Sequence, residues 1–143
     1  MEENKKRFDR EALMDILPHR GRMLLLDSAW LEAEDSAQGS YRVRGDEWFL
    51  DGHFPGNPVV PGVVLCEIMA QASCLLLGQA LKGKNAYYAG IDKMRFRRLV
   101  RPGDQVTVRS QLVRHKLSVY VVKAEAWVGE ELCAGGECSF ILT

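Results

Sequence analysis

The feature that most constrains this fold is an apolar run from Pro58 to Leu77, interrupted by Glu67 and Gln71. Proline and glycine at the start of the run predict a helix from about Gly62 to Lys82. A helix that is apolar on nearly every side has to be surrounded by other elements. We therefore expect a central core helix, and the two polar interruptions argue against a membrane span.

The rest of the chain is dominated by strand patterns with short connections. Before them, Asp9 is expected to cap a short helix that runs through Leu17 and ends at Pro18. Strands are predicted in residues 23–34, 36–45, 85–100, 105–115, 117–128 and 132–143. The fifth of these alternates with period 2, and its apolar face carries Tyr120, Val122, Ala124, Ala126 and Val128.

These patterns predict an α+β protein in which an antiparallel sheet curls around one long helix, because most connections are too short for parallel crossovers. The adjacent Gly135 and Gly136 predict a bulge or bend in the last strand. A length of 143 residues fits one domain over residues 1–143.

Charge and cysteine content exclude several functional classes. Nineteen basic and nineteen acidic residues cancel, which argues against nucleic acid or a membrane surface as the main partner. The cysteines show neither a C-x-x-C pair nor zinc-ligand spacing, and we interpret them as reduced thiols of a cytoplasmic protein: Cys66, Cys74, Cys133 and Cys138. The N-terminal "MEENKKRFDR" lacks the apolar core of a signal peptide.

Three candidate catalytic parts lie next to one another in the sequence. The loop "GHFPGNPVVPG" has a preset path, because prolines fix φ and glycines permit unusual backbone geometry, so it can hold His53 in place. Glu67 and Gln71 are four residues apart and share a helix face, where burial is expected to raise the pKa of Glu67. The free N–H groups at the helix start near Gly62 can receive an anionic oxygen.

A base, a protonated acid and an oxyanion donor suit elimination of water from a 3-hydroxyacyl thioester to give a trans-2-enoyl thioester. This chemistry requires no nucleophile, metal or redox cofactor. The alternative is that the loop histidine and the helix glutamate are structural, with the polar pair forming a satisfied core network.

At these residues the sequence resembles the FabZ family, the (3R)-hydroxyacyl-[acyl-carrier-protein] dehydratases of type II fatty acid synthesis. The resemblance rests on "LPHR", "LLLD", "GHFPGNPVVPGVVLCEIMAQ" and "GIDKMRFRRLVRPGD". It implies a hot-dog fold and a homodimer with shared active sites, often assembled as a trimer of dimers. It also implies that His53 and Glu67 are catalytic, with Glu67 contributed by the other protomer, that Gln71 supports them, and that Gly62 or Val63 supplies the oxyanion contact.

The resemblance also defines which alternative functions stay open. The similar FabA-type dehydratase/isomerases usually have aspartate where Glu67 stands, so the sequence sides with FabZ. Departures from the family pattern at "GRM", residues 21–23, and "SAW", residues 28–30, leave a paralogue of a specialised lipid or polyketide pathway open. A hot-dog thioesterase would use the same helix start, and a non-catalytic acyl-thioester sensor would keep the binding tunnel without the chemistry.

A basic segment covers the end of the third strand pattern and the turn after it, and its residues are Lys93, Arg95, Arg97, Arg98 and Arg101. The first three are expected to share one strand face. The segment is either a solvated surface or, as the resemblance implies, the docking surface for the acidic acyl carrier protein. Tyr87 and Tyr88 are interpreted as interface and core aromatics, with gating of an acyl tunnel as the alternative. His19 and His115 are interpreted as structural or surface residues.

Overall fold

The computed structural model describes residues 6–143. The first five residues, where the segment considered above for a signal peptide begins, lie outside the described residues.

One antiparallel sheet of seven strands is the main element of the described chain. Its strands are β1 (Arg7–Asp9), β2 (Ser28–Ala33), β3 (Ser36–Arg42), β4 (Ala86–Phe96), β5 (Gln105–Lys116), β6 (Val119–Val128) and β7 (Glu131–Leu142). They lie in the order β1-β2-β3-β5-β6-β7-β4, and every neighbouring pair is antiparallel. The short helix α1 spans Arg10–Leu13 and the central helix α2 spans Gly62–Ser73, and 3-10 segments span Gly21–Met23, Trp48–Leu50 and Cys74–Leu81.

The sheet packs around helix α2, which contacts β3, β5 and β6. Close approach is possible because β3 has a glycine where the helix lies on it: a Cβ on Gly39 would meet the Cβ of Ala72 at 2.7 Å. The apolar face predicted for β6 lines this core, with Tyr120, Val122, Ala124 and Ala126 buried. The architecture is the hot-dog fold, as expected.

Both helices end earlier than the sequence predicts. Asp9 caps α1 by accepting a hydrogen bond from the Ala12 N–H at 2.8 Å, but the helix stops at Leu13 instead of Leu17. Helix α2 begins at Gly62 as predicted and ends at Ser73 instead of Lys82. The following 3-10 segment contains Gly78 at φ 56° and ψ −135°, a conformation that breaks helical geometry.

Strand β4 carries an irregularity that the alternating pattern did not predict. Its register against β7 shifts between Asp92 and Arg95, and Lys93 between them has φ 55°. The expectation that Lys93, Arg95 and Arg97 share one strand face is therefore wrong, because a bulge breaks period 2 and β4 ends at Phe96. Of the two glycines of β7, Gly136 makes room for this bulge, since its Cβ would meet the Cα of Met94 at 2.7 Å.

The segment Gly62–Leu81 is long and apolar enough to cross a membrane by length and composition, with a mean hydropathy of 1.6. Inside the described fold 72% of its most apolar window is buried, which is typical of the core helix of a soluble protein. The apolar side chains of this segment therefore pack against the sheet that surrounds it.

Candidate active site

The polar notch on helix α2 consists of Glu67 and Gln71, one helical turn apart. The fully buried amide of Gln71 donates to the Glu67 carboxylate at 2.9 Å and to the Met23 carbonyl at 2.8 Å. Its oxygen accepts the Leu25 N–H at 2.8 Å. Gln71 therefore ties the carboxylate to the backbone that leads into β2, which fixes the side chain of Glu67 in one orientation.

His19 is a site residue that sequence analysis missed. Its Nε2 lies 3.3 Å from Oε2 of Glu67, the same oxygen that Gln71 contacts. The local sequence offers His19 no acid at helical spacing, because its acid partner comes from a distant helix. The available signal was its place in "LPHR", one of the motifs that carry the resemblance.

The expectation that burial raises the pKa of Glu67 is wrong for the protomer described here. Burial does act in that direction, but hydrogen bonds from His19 and Gln71, together with the charge of His19, outweigh it and lower the pKa of the carboxyl. Within a single protomer, the apolar helix therefore holds Glu67 as a hydrogen-bonded carboxylate.

Aromatic and thiol groups enclose the other side of the notch. A cavity of about 50 Å³ is lined by His19, Glu67, Ala70, Gln71, Cys74, Ala86, Tyr88 and Phe140. The Tyr88 hydroxyl donates to the Cys66 carbonyl at 3.0 Å, and its ring packs on Phe140 with centroids 5.5 Å apart. Tyr88 is therefore part of the wall of this cavity, whereas Tyr87 is 56% exposed.

The thiols near the notch are poor nucleophiles. Burial raises the pKa of Cys74 and of Cys138 to about 12, and it also raises the pKa of Cys66. Because the thiolate is the reactive form, these residues remain protonated near neutral pH. All three are free and buried, so they serve as small core side chains.

Backbone hydrogen bonds close the loop that contains His53. The Val59 N–H donates to the His53 carbonyl at 2.9 Å, and Phe54 and Asn57 exchange hydrogen bonds of 3.0 and 2.9 Å. Nδ1 of His53 lies 3.1 Å from the Val59 carbonyl, which can only accept. The neutral ring therefore carries its proton on Nδ1, and Nε2 keeps the free lone pair that a base needs.

The start of helix α2 leaves backbone donors free, as predicted for Gly62 and Val63. The first helical hydrogen bonds run from the Val64 and Leu65 N–H groups to the Pro61 carbonyl, so the two preceding N–H groups have no acceptor within the helix. A Cβ at Gly62 would meet the ring of Phe96 at 3.0 Å, so a glycine permits this close packing.

The structure brings Glu67, Gln71 and His19 together, but it does not join them to His53. No hydrogen bond or ion pair between the described residues links the rings of His53 and His19, or His53 and Glu67. A site that needs both His53 and Glu67 therefore requires something beyond the contacts of one protomer.

Of the five basic residues in the segment 93–101, ion pairs hold one in place and the other four are exposed. Arg98 forms ion pairs with Asp104 at 3.1 Å and Glu131 at 3.4 Å, so its charge is largely compensated. The exposed basic residues are Lys93, Arg95, Arg97 and Arg101.

The sheet order, the enclosed helix and the polar notch together define a protein of the hot-dog class. Similar solved structures include the dehydratase heterocomplex ApeI:P from Xenorhabdus doucetiae, with a TM-score of 0.76 at 18% identity over 92% of this chain and 90% of that one. A mutant of the fluoroacetyl-CoA-specific thioesterase FlK, in complex with fluoroacetate and CoA, has a TM-score of 0.65 at 15% identity over 76% of this chain and 92% of its own. At these identities, the likenesses show the fold alone.

Sequence comparison defines the family. Residues 17–137 match the model of the FabA-like domain. The chain is 42% identical over 139 residues to the 3-hydroxyacyl-[acyl-carrier-protein] dehydratase FabZ of Caldicellulosiruptor saccharolyticus, covering 94% of this chain and 99% of the relative. It is 43% identical over 136 residues to the enzyme of the same name from Moorella thermoacetica, covering 93% and 95%. The chain belongs to the FabZ family of FabA-like dehydratases.

Proposed function

We propose that this protein is a 3-hydroxyacyl-[acyl-carrier-protein] dehydratase, a hydro-lyase of fatty acid synthesis that converts (3R)-3-hydroxyacyl thioesters into trans-2-enoyl thioesters. The observation that carries the proposal is the pairing of two features. The loop fixes the tautomer of His53 so that Nε2 is a free base, and the apolar helix holds one oriented carboxyl group, Glu67.

In the proposed reaction, Nε2 of His53 removes the proton from C2 of the substrate. The electron pair of that C–H bond forms the C2–C3 double bond as the C3–O bond breaks, and Glu67 gives its proton to the departing hydroxyl to form water. The cycle ends with protonated His53 and ionised Glu67, and proton return through solvent restores both. The scheme needs no redox cofactor, since no electrons leave the substrate, and it needs no metal, since side chains and backbone N–H groups fill the acid, base and oxyanion roles.

The backbone N–H groups at the helix start and the side chain of Gln71 stabilise the developing charge and hold the acid in position. Negative charge that develops on the thioester oxygen is stabilised by the N–H groups of Gly62 or Val63 and by the positive end of the helix dipole. Gln71 orients Glu67. The partner protomer and the substrate exclude water from the carboxyl, which favours the protonated form that the isolated protomer disfavours.

We place the two catalytic residues of each site on different protomers of a homodimer. Strand β4 supports this arrangement, because it lies at an edge of the sheet and exposes large apolar side chains: Tyr87 is 56%, Ile91 46% and Phe96 52% exposed. A long apolar edge strand is a site for pairing with another chain. Joining two β4 edges would bring the His53 loop of one protomer towards α2 of the other, and further assembly as a trimer of dimers is compatible with it.

The test is ultraviolet absorbance of the enoyl thioester on mixing the protein with crotonyl or 3-hydroxyacyl thioesters of acyl carrier protein. We expect interconversion that His53→Ala and Glu67→Gln each reduce by at least about a thousand-fold, while circular dichroism shows an intact fold. Release of free thiol without a change in enoyl absorbance would contradict the proposal and favour a thioesterase. Tight acyl-thioester binding without either reaction would favour a sensor, and formation of cis-3-enoyl product would add isomerase activity.

We further propose that acyl carrier protein docks on the exposed cations Lys93, Arg95, Arg97 and Arg101, in the cytoplasm. Arg98 contributes less because Asp104 and Glu131 compensate its charge. The double variant Arg95→Glu/Arg97→Glu should raise KM for the carrier-bound substrate about ten-fold or more and leave KM for the coenzyme A thioester unchanged. Arg109→Glu, on another part of the sheet, is the matched control, and equal effects on both substrates would contradict docking.

A further inference from the structure

The proposed function leaves one polar residue of the site without a role. His19 contacts Glu67, yet its other ring nitrogen, Nδ1, is buried and has no hydrogen-bond partner among residues 6–143. Buried N–H groups without an acceptor are rare in proteins, so a proton on Nδ1 would be unfavourable there. The neutral ring is therefore the tautomer with its proton on Nε2, and that N–H points at the carboxyl group of Glu67.

Two donors then meet one oxygen of the carboxyl group. The Nε2 of His19 lies 3.3 Å from Oε2 of Glu67, and the amide of Gln71 donates to the same Oε2 at 2.9 Å. An oxygen that accepts two N–H groups is poorly placed to carry a proton of its own. When Glu67 is protonated, its proton therefore belongs on Oε1.

We propose that His19 is a positioning residue for Glu67: together with Gln71 it occupies Oε2, so that the acidic proton sits on Oε1 and faces the departing hydroxyl of the substrate. The inference rests on the proposed dehydratase function, because it concerns the acid of that reaction. After the proton leaves Oε1, the carboxylate keeps both of its donors on Oε2, so no rearrangement is needed when the charge forms.

Other groups around Glu67 replace this donor only in part. The titratable side chains that face it are Tyr88 on β4, Cys66 and Cys74 on the helix segment, and Cys138 on β7. The Tyr88 hydroxyl donates to the Cys66 carbonyl at 3.0 Å, and its contact with Glu67 lowers the pKa of the carboxyl less than the contacts of His19 and Gln71 do. The three thiols are buried weak donors. Gln71 remains as the second donor, which explains why loss of His19 should weaken the site without abolishing it.

The experiment compares His19→Leu, which removes the donor, with His19→Gln, which keeps a neutral N–H donor. His115→Leu is the matched control, since His115 lies at the exposed β5–β6 hairpin and stacks on Tyr120 with ring centroids 3.9 Å apart. We expect His19→Leu to lower kcat by roughly 10- to 100-fold with little change in KM, which is the effect of losing a hydrogen bond to a charged group. His19→Gln should recover most of that loss, and His115→Leu should match the wild type.

A direct titration separates positioning from a merely structural effect. The carboxyl carbon of Glu67, labelled with ¹³C and assigned by its loss in Glu67→Gln, is followed by NMR against pH in each protein. Because His19 lowers the pKa of Glu67, His19→Leu should move that titration to higher pH, and His19→Gln should move it less. The limb of the kcat/KM profile that this carboxyl governs should move in the same direction.

The outcomes distinguish this inference from the proposed function. Wild-type protein without dehydratase activity would overturn the function itself. Active protein whose His19→Leu variant retains wild-type kcat and an unshifted Glu67 titration would overturn the positioning role alone. If His19→Leu fails to fold, the comparison of His19→Gln with wild type still decides, since an amide that restores neither kcat nor the titration contradicts a donor role.

Discussion

At the scale of single residues, the carboxyl group of Glu67 is the centre of the site because it is the only acid on helix α2. Gln71 links it to the Met23 and Leu25 backbone, and His19 reaches the same carboxyl oxygen from the segment after α1. A charged group in an apolar helix is tolerable only when it is hydrogen-bonded in this way. The network thus stabilises the fold and orients the candidate acid at the same time.

Replacing Gln71 with methionine tests this double role. The change keeps the volume of the side chain but leaves the Leu25 N–H and the Met23 carbonyl buried without their partner. We expect a loss of roughly 2–5 kcal/mol in the free energy of unfolding, measured by urea denaturation, and a lower kcat. Gln79→Met is the matched control, because Gln79 is exposed, and equal losses in both variants would contradict the assigned role of Gln71.

The lowered pKa of Glu67 predicts how stability depends on pH. A carboxyl whose pKa is lower in the folded than in the unfolded protein stabilises the fold above the unfolded pKa of 4.5, and this contribution is lost as pH falls through the folded pKa. The stability advantage of wild type over Glu67→Gln should therefore shrink as the pH falls from neutral to below the unfolded pKa of 4.5. Urea unfolding of both proteins across this range measures it, and Glu130→Gln, at an exposed acid, should show no such trend. An advantage that grows towards low pH would mean that the pKa is raised.

At the scale of elements, the contact between β4 and β7 depends on the absence of a side chain at Gly136. A Cβ on Gly136 would lie 2.7 Å from the Cα of Met94 and 3.0 Å from the Asp92 carbonyl, whereas a Cβ on Gly135 meets its nearest atoms at 3.5 Å. The first contact forces the β4 bulge away from β7, and the second is ordinary van der Waals contact.

We therefore expect Gly136→Ala to lower the free energy of unfolding by about 1–3 kcal/mol, the cost of overpacking. Gly135→Ala, one residue earlier in the same strand, should be close to neutral or slightly stabilising, because it reduces the freedom of the unfolded chain. Chemical denaturation of the two variants measures the difference. Equal stability would show that the β4 bulge moves without cost.

The positions of most elements could be predicted from local pattern, and the exceptions have a physical reason. Pro61 and Gly62 mark the start of α2, and period 2 marks β6, because both signals lie within a few residues. Helix α2 gives way after Ser73 to a 3-10 segment that is broken by the positive φ of Gly78, and the bulge at Lys93 depends on pairing with β7. Local sequence alone predicts neither the conformation of one glycine nor the register of a distant strand.

At the scale of the whole molecule, some residues of the candidate site could be recognised from local sequence, whereas the contacts between distant segments could not. His53, Glu67, Gln71 and the N–H groups at the helix start could be proposed from the sequence because they belong to one continuous stretch, residues 53–71. The contact of His19 with Glu67 could not, because it joins two segments that only the fold brings together. No local pattern predicts the separation of His53 from Glu67 within one protomer, and only the family resemblance implied that the two residues of one site come from different protomers.

Mixing two inactive variants tests that assembly. If His53 and Glu67 of one site come from different protomers, a dimer of one His53→Ala chain and one Glu67→Gln chain has one site with both substitutions and one site with neither. Equal mixing by joint unfolding and refolding makes about half of the dimers mixed, so about a quarter of wild-type activity should return. Affinity tags on each variant verify that mixed dimers have formed, and light scattering should give about twice the 16.1 kDa protomer mass or a multiple of it. Verified mixed dimers without recovered activity would mean that each protomer supplies both residues of its own site, and that a rearrangement of the His53 loop has to bring them together.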